Sequence, residues 1–376
     1  MDFTPTEEQG AAQELAARIF GDLATHERLA AAGTGTDAEL WKALCAAGLP
    51  GAVEEIGLLG LVLLAEEQGR TTAQVPFAAS CVFGLLAVAR HGTEEQRERL
   101  LPGLRDGTTV VTGAFPPTGH VRAGAADGLL TGVVEWVPWL RDATHVLVPD
   151  QEAALWLVPT ADALVEPVEL TAPWAAGRLV LDGARGERLG GTGAARTEAR
   201  TEAPEGTRTE APVGTRTEAS AGPRTDPAAD VLAMARIVFA GLQAGVCAGS
   251  LARAVAYTSV REQFGRPLST HQAVQLRAAD AHMDTEAIRV TAYEAAWRHD
   301  EGLPAAEHAL TAAWWASEAG KRVVHAGQHL HGGMGADLDH PVHRHFLWGR
   351  QLDAYLGCGT ELLAELGDLI ANGEPS

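Results

Sequence analysis

The sequence predicts an α+β chain in which a helical region, a β-region and a second helical region follow one another, on three observations. Alanine- and leucine-rich runs with helical spacing fill residues 1–112 and 228–376. Between them, residues 113–187 carry short β-type runs separated by Gly, Pro and Asp. Residues 188–227 are of low complexity: Arg-Thr-Glu-Ala begins at 196, 200, 208 and 216, with no large apolar residue placed to build a core. That stretch is expected to be a disordered linker between the β-region and the second helical region.

The elements follow in order. Thr6 before Glu7, Glu8 and an Ala/Leu run predicts a capped first helix. A second fits Asp37–Ala47 and ends at Gly48; a third fits Leu58–Gln68 and ends at Gly69. Val82–Val88 predicts a buried helix. Thr93, with acids behind it, starts another that Leu100-Leu101-Pro102 is expected to stop. Strands are expected at Thr109–Thr112, Leu129–Val134, His145–Pro149, Leu155–Val158 and Arg178–Leu181. Asp230 is expected to cap a helix reaching about Gln263, with Val238, Leu242, Val246, Leu251 and Val255 as its buried stripe. Further helices fit His271–Arg298, Ala305–Leu330, a segment after Pro341, and one carrying Leu362–Ile370.

Composition narrows the function. With 29 basic and 49 acidic residues the formal net charge is −20, which opposes nonspecific nucleic-acid binding. No run of about 18 apolar residues predicts a membrane span, and the N-terminus lacks the basic and apolar regions of a secretory signal. Cys45, Cys81, Cys247 and Cys358 are scattered without metal-like spacing. They read as reduced thiols of a cytoplasmic protein.

Two segments carry most of the functional information: Arg261 to Gln272 and Gln328 to Gly335. Each lies where a long helical pattern breaks at glycine, and each combines glycine with hydrogen-bonding side chains. Together they suit close approach of backbone to a large anionic ligand. His329 and His331 raise the question of a metal, but no third ligand of suitable spacing accompanies them, so none is expected.

The ordered set Arg261-x-x-Phe264-Gly265-x-Pro267 with Gln272, then His331-Gly332-Gly333-Met334-Gly335 with Asp339 and Pro341, resembles the acyl-CoA dehydrogenase family. Glu66-Glu67-Gln68-Gly69-Arg70 and Gly92–Arg97 with Leu101-Pro102 add weaker support. The resemblance covers nearly the whole chain except the linker. It implies an N-terminal helical domain, a middle β-barrel-like domain and a C-terminal four-helix bundle. It also implies FAD between the last two, reaching across a dimer interface, and an acyl-CoA or carrier-bound acyl thioester as substrate. By that resemblance Arg261, Phe264 and Gln272 hold the adenosine diphosphate part of a neighbouring subunit's flavin. Gly332 and Gly333 lie against the nucleotide, where a side chain would collide, His329 stands where the family has glutamine, and Trp136 is placed to stack on a ring.

The family pattern also fails in places. The glutamate base of Tyr-Glu-Gly-Thr falls on Leu356 in Tyr355-Leu356-Gly357-Cys358. The alternative base position, before an arginine on the first bundle helix, holds Ala235 in Met234-Ala235-Arg236. Neither side chain accepts a proton, so no catalytic base is assigned. Phe115-Pro116-Pro117-Thr118-Gly119-His120 replaces the usual flavin-facing loop, and Trp136-Val137-Pro138 loses a hydroxyl and a backbone donor. Contacts offered to a neighbour's flavin thus persist while those to the chain's own are lost. Three readings stand. The chain is a subunit that completes a partner's FAD site; or a homo-oligomeric flavoprotein with a displaced base (Glu361, Asp353 or Glu294); or a flavin-free protein that reuses the acyl pocket.

Overall fold

The computed structural model describes residues 3–115, 121–123, 128–190 and 226–372. The repeat-bearing linker and most of the Phe115–His120 segment lie outside the described residues.

The N-terminal region is helical. Thr6 caps α1 (Glu7–Leu23) through a capping box with Gln9. Thr25 caps a short α2 (His26–Ala32), which the sequence pattern did not suggest. Asp37 caps α3 (Ala38–Ala46), and Gly48 turns left-handed into α4 (Leu49–Thr71). Gly57, at φ 72°, breaks α4, and the helix restarts at the expected Leu58. Its new N-terminus is capped from afar: Asp300 accepts the Leu58 and Leu59 N–H groups at 2.8 and 2.9 Å. Gly69 does not end α4 as expected. It lies inside the helix, where a Cβ would run into the Leu242 carbonyl of a crossing helix. Helical residues continue through α5 (Phe77–Ala79), a π-turn over Ser80–Leu86 and α6 (Ala87–His91), all but a few buried. Thr93 and Gln96 form a second capping box on α7 (Glu94–Asp106). Pro102 does not stop α7: the helix runs on to Asp106, bringing Leu104 into the core, and ends at the left-handed Gly107.

The β-region is two four-stranded sheets packed face to face. One has the order β1 (Val111–Gly113), β4 (His145–Pro149), β5 (Leu155–Pro159), β8 (Glu187–Arg188); β1 and β4 are parallel. The other, fully antiparallel, has the order β2 (Arg122–Ala123), β3 (Leu129–Val137), β7 (Gly177–Arg185), β6 (Leu164–Pro167). Leu130, Val146, Val148, Val158, Leu179 and Leu181 close the space between them. The five expected strands are present; β2, β6 and β8 are short or exposed and were not expected.

The C-terminal region is a bundle of α8 (Pro227–Val260), α9 (Gln272–Asp300), α10 (Ala306–His331) and α11 (Pro341–Leu352), with α12 (Gly359–Asn372) packed on α10. Asp226, not Asp230, caps α8; Asp230 lies a turn inside and pairs with Arg90 and His91 instead. The helix ends at Val260, short of the expected Gln263. By length and hydropathy α8 would span a membrane, but 83% of that apolar window is buried inside the protein, against α4, α9 and α10.

Candidate functional site

The candidate residues fall in two places, one exposed and one buried. The exposed place is built at the ends of α8 and α10. After Arg261, β9 (Glu262–Gln263) and β10 (Arg266–Pro267) form a hairpin that pairs Gln263 with Arg266. Its two turn residues, Phe264 (φ 56°) and Gly265 (φ 76°), are both left-handed, as a type I′ turn requires. Glycine adopts that conformation freely, but a bulky phenylalanine does so at a cost of about 1–3 kcal/mol. Phe264 is also 91% exposed. Its one aromatic neighbour is His271, edge-on at 6.1 Å. Nothing else among the described residues covers it. Gln272 opens α9, exposed like Arg261.

The second motif is held beside the first by stacking. The Tyr257 ring, one turn before Arg261, lies 4.9 Å from the ring of buried His331, whose Nδ1 faces the Gly327 carbonyl at 2.7 Å. Gly332, at φ 62°, then turns the chain into a 3-10 turn over Gly332–Ala336. Gln328 points inward and donates to the Gly335 carbonyl at 3.0 Å, while His329, Gly332 and Gly333 are exposed. A Cβ on Gly332 or Gly333 would meet open space within this chain. The expected collision has no internal source. Gly332 is set by its φ, and the room above both glycines is free for a ligand. Arg261, Phe264, Gln272, His329, Gly332 and Gly333 therefore all lie on the surface near these two helix ends.

The buried place joins Trp136, Ala235 and Leu356, and it is filled. Tyr355, 1% exposed, packs on Phe239 at 4.8 Å, Trp136 at 5.7 Å and Trp174 at 6.1 Å. Trp174 in turn meets Trp348 edge-on at 5.3 Å and stacks on Trp139 at 5.9 Å. Trp139 is held at φ 62° to do so, a strained conformation kept by its packing. Leu356 and Ala235 are buried within the same core. Between Arg236, Phe239, Tyr355, Leu356, Gly357 and Leu362 a cavity of about 20 Å³ remains, room for about one water. Arg236 is paired with Glu365 through both terminal nitrogens, at 2.7 and 2.6 Å, and donates to the Leu356 carbonyl.

The residues present therefore fit half of a flavin dinucleotide. The exposed face offers a guanidinium, an aromatic and open glycine backbone to an adenosine diphosphate group. The buried place, among the described residues, has no room for an isoalloxazine ring. None of the three alternative carboxylates lines the cavity. Glu361 accepts the Cys358 N–H at 3.0 Å, Asp353 accepts from Ser317 and pairs with Arg350, and Glu294 lies 3.3 Å from His308. Sequence reasoning missed Tyr355, Phe239 and Trp174 as the filling; the abundance of tryptophan, nine in all, was the available signal.

A helical domain, a two-sheet middle and a helical bundle bearing a glycine-rich surface face define the acyl-CoA dehydrogenase architecture. The chain belongs to the acyl-CoA dehydrogenase family. Residues 6–108 match the family's N-terminal domain and residues 226–365 its C-terminal domain. Acyl-CoA dehydrogenase FadE27 of Mycobacterium tuberculosis is 33% identical over 99% of both chains. Among solved structures, a variant of the Tcur3481-Tcur3483 steroid ACAD is 38% identical, with a TM-score of 0.84 over 98% of both chains. The ChsE4-ChsE5 complex from Mycobacterium tuberculosis is 30% identical, with a TM-score of 0.85 over the whole of both chains.

Proposed function

We propose that this chain is one subunit of a hetero-oligomeric acyl-CoA dehydrogenase, which carries out α,β-dehydrogenation of an acyl-CoA thioester on an FAD that it helps to bind. Its own cleft is closed by Tyr355, Phe239 and Trp174, so it contributes from outside: Arg261, Phe264 and Gln272 hold the adenosine diphosphate part of a flavin whose ring lies in the partner. The partner supplies the carboxylate base. The contrast between a filled interior and a strained, uncovered Phe264 carries this reading. FAD, when bound, supplies the hydride acceptor; this chain's residues position it and shield it from water. Two similar structures are named as pairs of chains, which supports a two-chain assembly, and one is named a steroid ACAD. We extend that to the substrate class: a thioester whose acyl group carries a steroid.

The test is visible absorbance of the chain alone and after co-expression with a second family member that keeps the glutamate base. The chain alone is expected to be colourless, and the complex yellow with one FAD per pair. A yellow chain that oxidises acyl-CoA by itself sinks the proposal.

A further inference from the structure

Three rings form a column behind the exposed face. Tyr257 comes from α8, one turn before Arg261; His331 is the last residue of α10; His340 stands just before α11. The Tyr257 and His331 rings stack at 4.9 Å, and the His331 and His340 rings meet at 4.9 Å with 60° between their planes. The residues between the two histidines include the whole Gly332–Ala336 turn. The column therefore ties both ends of that turn to the helix that leads into Arg261 and Phe264.

Its outer ring is also a helix cap. His340 Nδ1 accepts the Val342 N–H at 3.3 Å and so caps α11. The helices α1, α2, α3, α7 and α8 are capped by Thr or Asp, whereas α11 uses a group that titrates near neutrality. Only an unprotonated Nδ1 can accept, so the capping imidazole is neutral, with its hydrogen on Nε2. A proton on Nδ1 ends the cap and sets a positive charge at the positive end of the α11 dipole. The neighbours add to the cost. Burial lowers the pKa of His340 below the usual 6.5, and His331 of α10, Arg253 of α8 and His26 of α2 lower it further, while Asp337 of the same turn draws it up.

We propose that His340 is a positioning residue for the shared flavin: as a neutral cap it holds the Gly332–Ala336 turn against the Tyr257–His331 stack, and its protonation loosens the turn and the grip on the nucleotide. The inference rests on the subunit reading above and adds a pH dependence to it. The turn is tied at its other side by Gln328, which donates to the Gly335 carbonyl at 3.0 Å, so it loses one support and not both. The balance is one proton gained by Nδ1 and one Val342 N–H passed to water. A group that folds neutral has its effect in full above pH 6.5, and the effect is lost as pH falls through its lower folded value. Grip is therefore strongest at neutral and alkaline pH and weakens in acid.

FAD release from the co-expressed complex, followed by flavin fluorescence from pH 5 to 8, tests the inference. The unaltered complex is expected to lose affinity in acid, by at most about tenfold per pH unit for one proton. His340→Asn caps with a carbonyl that does not titrate, so it should keep FAD to the acid end of the range. His340→Ala should bind FAD about 5-fold more weakly at pH 8, the worth of one cap, and show no further acid loss. An acid loss of the same size in His340→Asn overturns the proposal. A second measurement needs no flavin: in the chain alone, the Val342 amide and the His340 ring resonances should shift together on acidification. A Val342 amide that ignores the His340 titration also overturns it. Arg261→Ala is the control for the underlying reading. If it loses FAD while the His340 variants behave like the unaltered complex, only this inference falls. If it keeps FAD in full, the subunit reading falls and this inference with it.

Discussion

Leu356 sits where a family base would sit, and its surroundings say what a restored glutamate would do. The side chain is buried beside Tyr355 and Arg236, next to a cavity that holds about one water. Leu356→Glu would place a carboxyl group there with no substrate carbon to face. The expected outcome is no dehydrogenase activity in the isolated chain and a loss of about 2–4 kcal/mol in stability from burying the carboxyl. Urea unfolding and an acyl-CoA turnover assay check both halves; measurable turnover would show that the cleft opens. Glu66 presents the opposite case, a carboxylate whose burial is fully matched. It is 1% exposed and accepts from Arg70, Arg289 and the Tyr293 hydroxyl, at 3.1, 2.7 and 2.8 Å. Glu66→Ala leaves Arg289 with Glu286 as its remaining carboxylate and takes the acceptor from the Tyr293 hydroxyl, and a loss of about 1–3 kcal/mol is expected by denaturant titration.

Among the elements, α8 crosses α4 backbone against backbone, and glycine is what allows it. A Cβ on Gly245 would strike the Glu66 carbonyl, one on Gly249 the Arg70 carbonyl, and one on Gly69 the Leu242 carbonyl. Rotamer changes relieve none of these clashes, because the obstacle is backbone. Alanine gains about 1 kcal/mol in helix propensity, while overpacking costs about 1–3 kcal/mol or more where the backbone must shift. Gly245→Ala is therefore expected to lower Tm. Gly367→Ala, on α12 with nothing within 4 Å, should raise stability by about 0.5–1 kcal/mol. A calorimetric scan of the two variants decides it, and a stabilised Gly245→Ala would refute the close crossing. The same glycines show what the sequence hides. Caps are local, so Thr6 and Thr93 were legible from the residues beside them. Gly69 looked like a stop because its reason, the Leu242 carbonyl, lies on another helix. Pro102 looked like a stop because the pull of buried Leu104 is tertiary. The exposed half of the candidate site was legible as motifs for a related reason: Phe264-Gly265 and Gly332 are set by local backbone. The filled half was not, because Trp136, Trp174, Phe239 and Tyr355 come from four distant places in the chain.

For the whole molecule, one buried cluster ties these regions together and makes stability depend on pH in a defined direction. Asp230 on α8 meets Arg90 and His91 of α6, both at 2.8 Å, and His299 of α9 at 3.7 Å, while neighbouring Asp300 caps the restart of α4. Burial pushes the Asp230 carboxyl up, but His299, His91 and Arg90 outweigh it and hold it far below the carboxylate range. Burial likewise opposes a charged His299, yet Asp230 and Asp300 raise its pKa above the usual 6.5. A raised histidine contributes stability that is fully present below about pH 6.5 and is lost as pH rises through its folded value. His345 works the other way. Burial drives it down to about 4, so it favours the neutral form and weakens the fold as pH falls from about 6.5 toward 4. Total stability against pH mixes the two signs, and a difference between variants separates them. His299→Gln should flatten the decline of stability above pH 6.5 and leave the acid limb in place, as read by urea midpoints from pH 5 to 9. An alkaline decline that persists unchanged in His299→Gln would mean that the Asp230 cluster is not the clasp between α6, α8 and α9 that its distances describe.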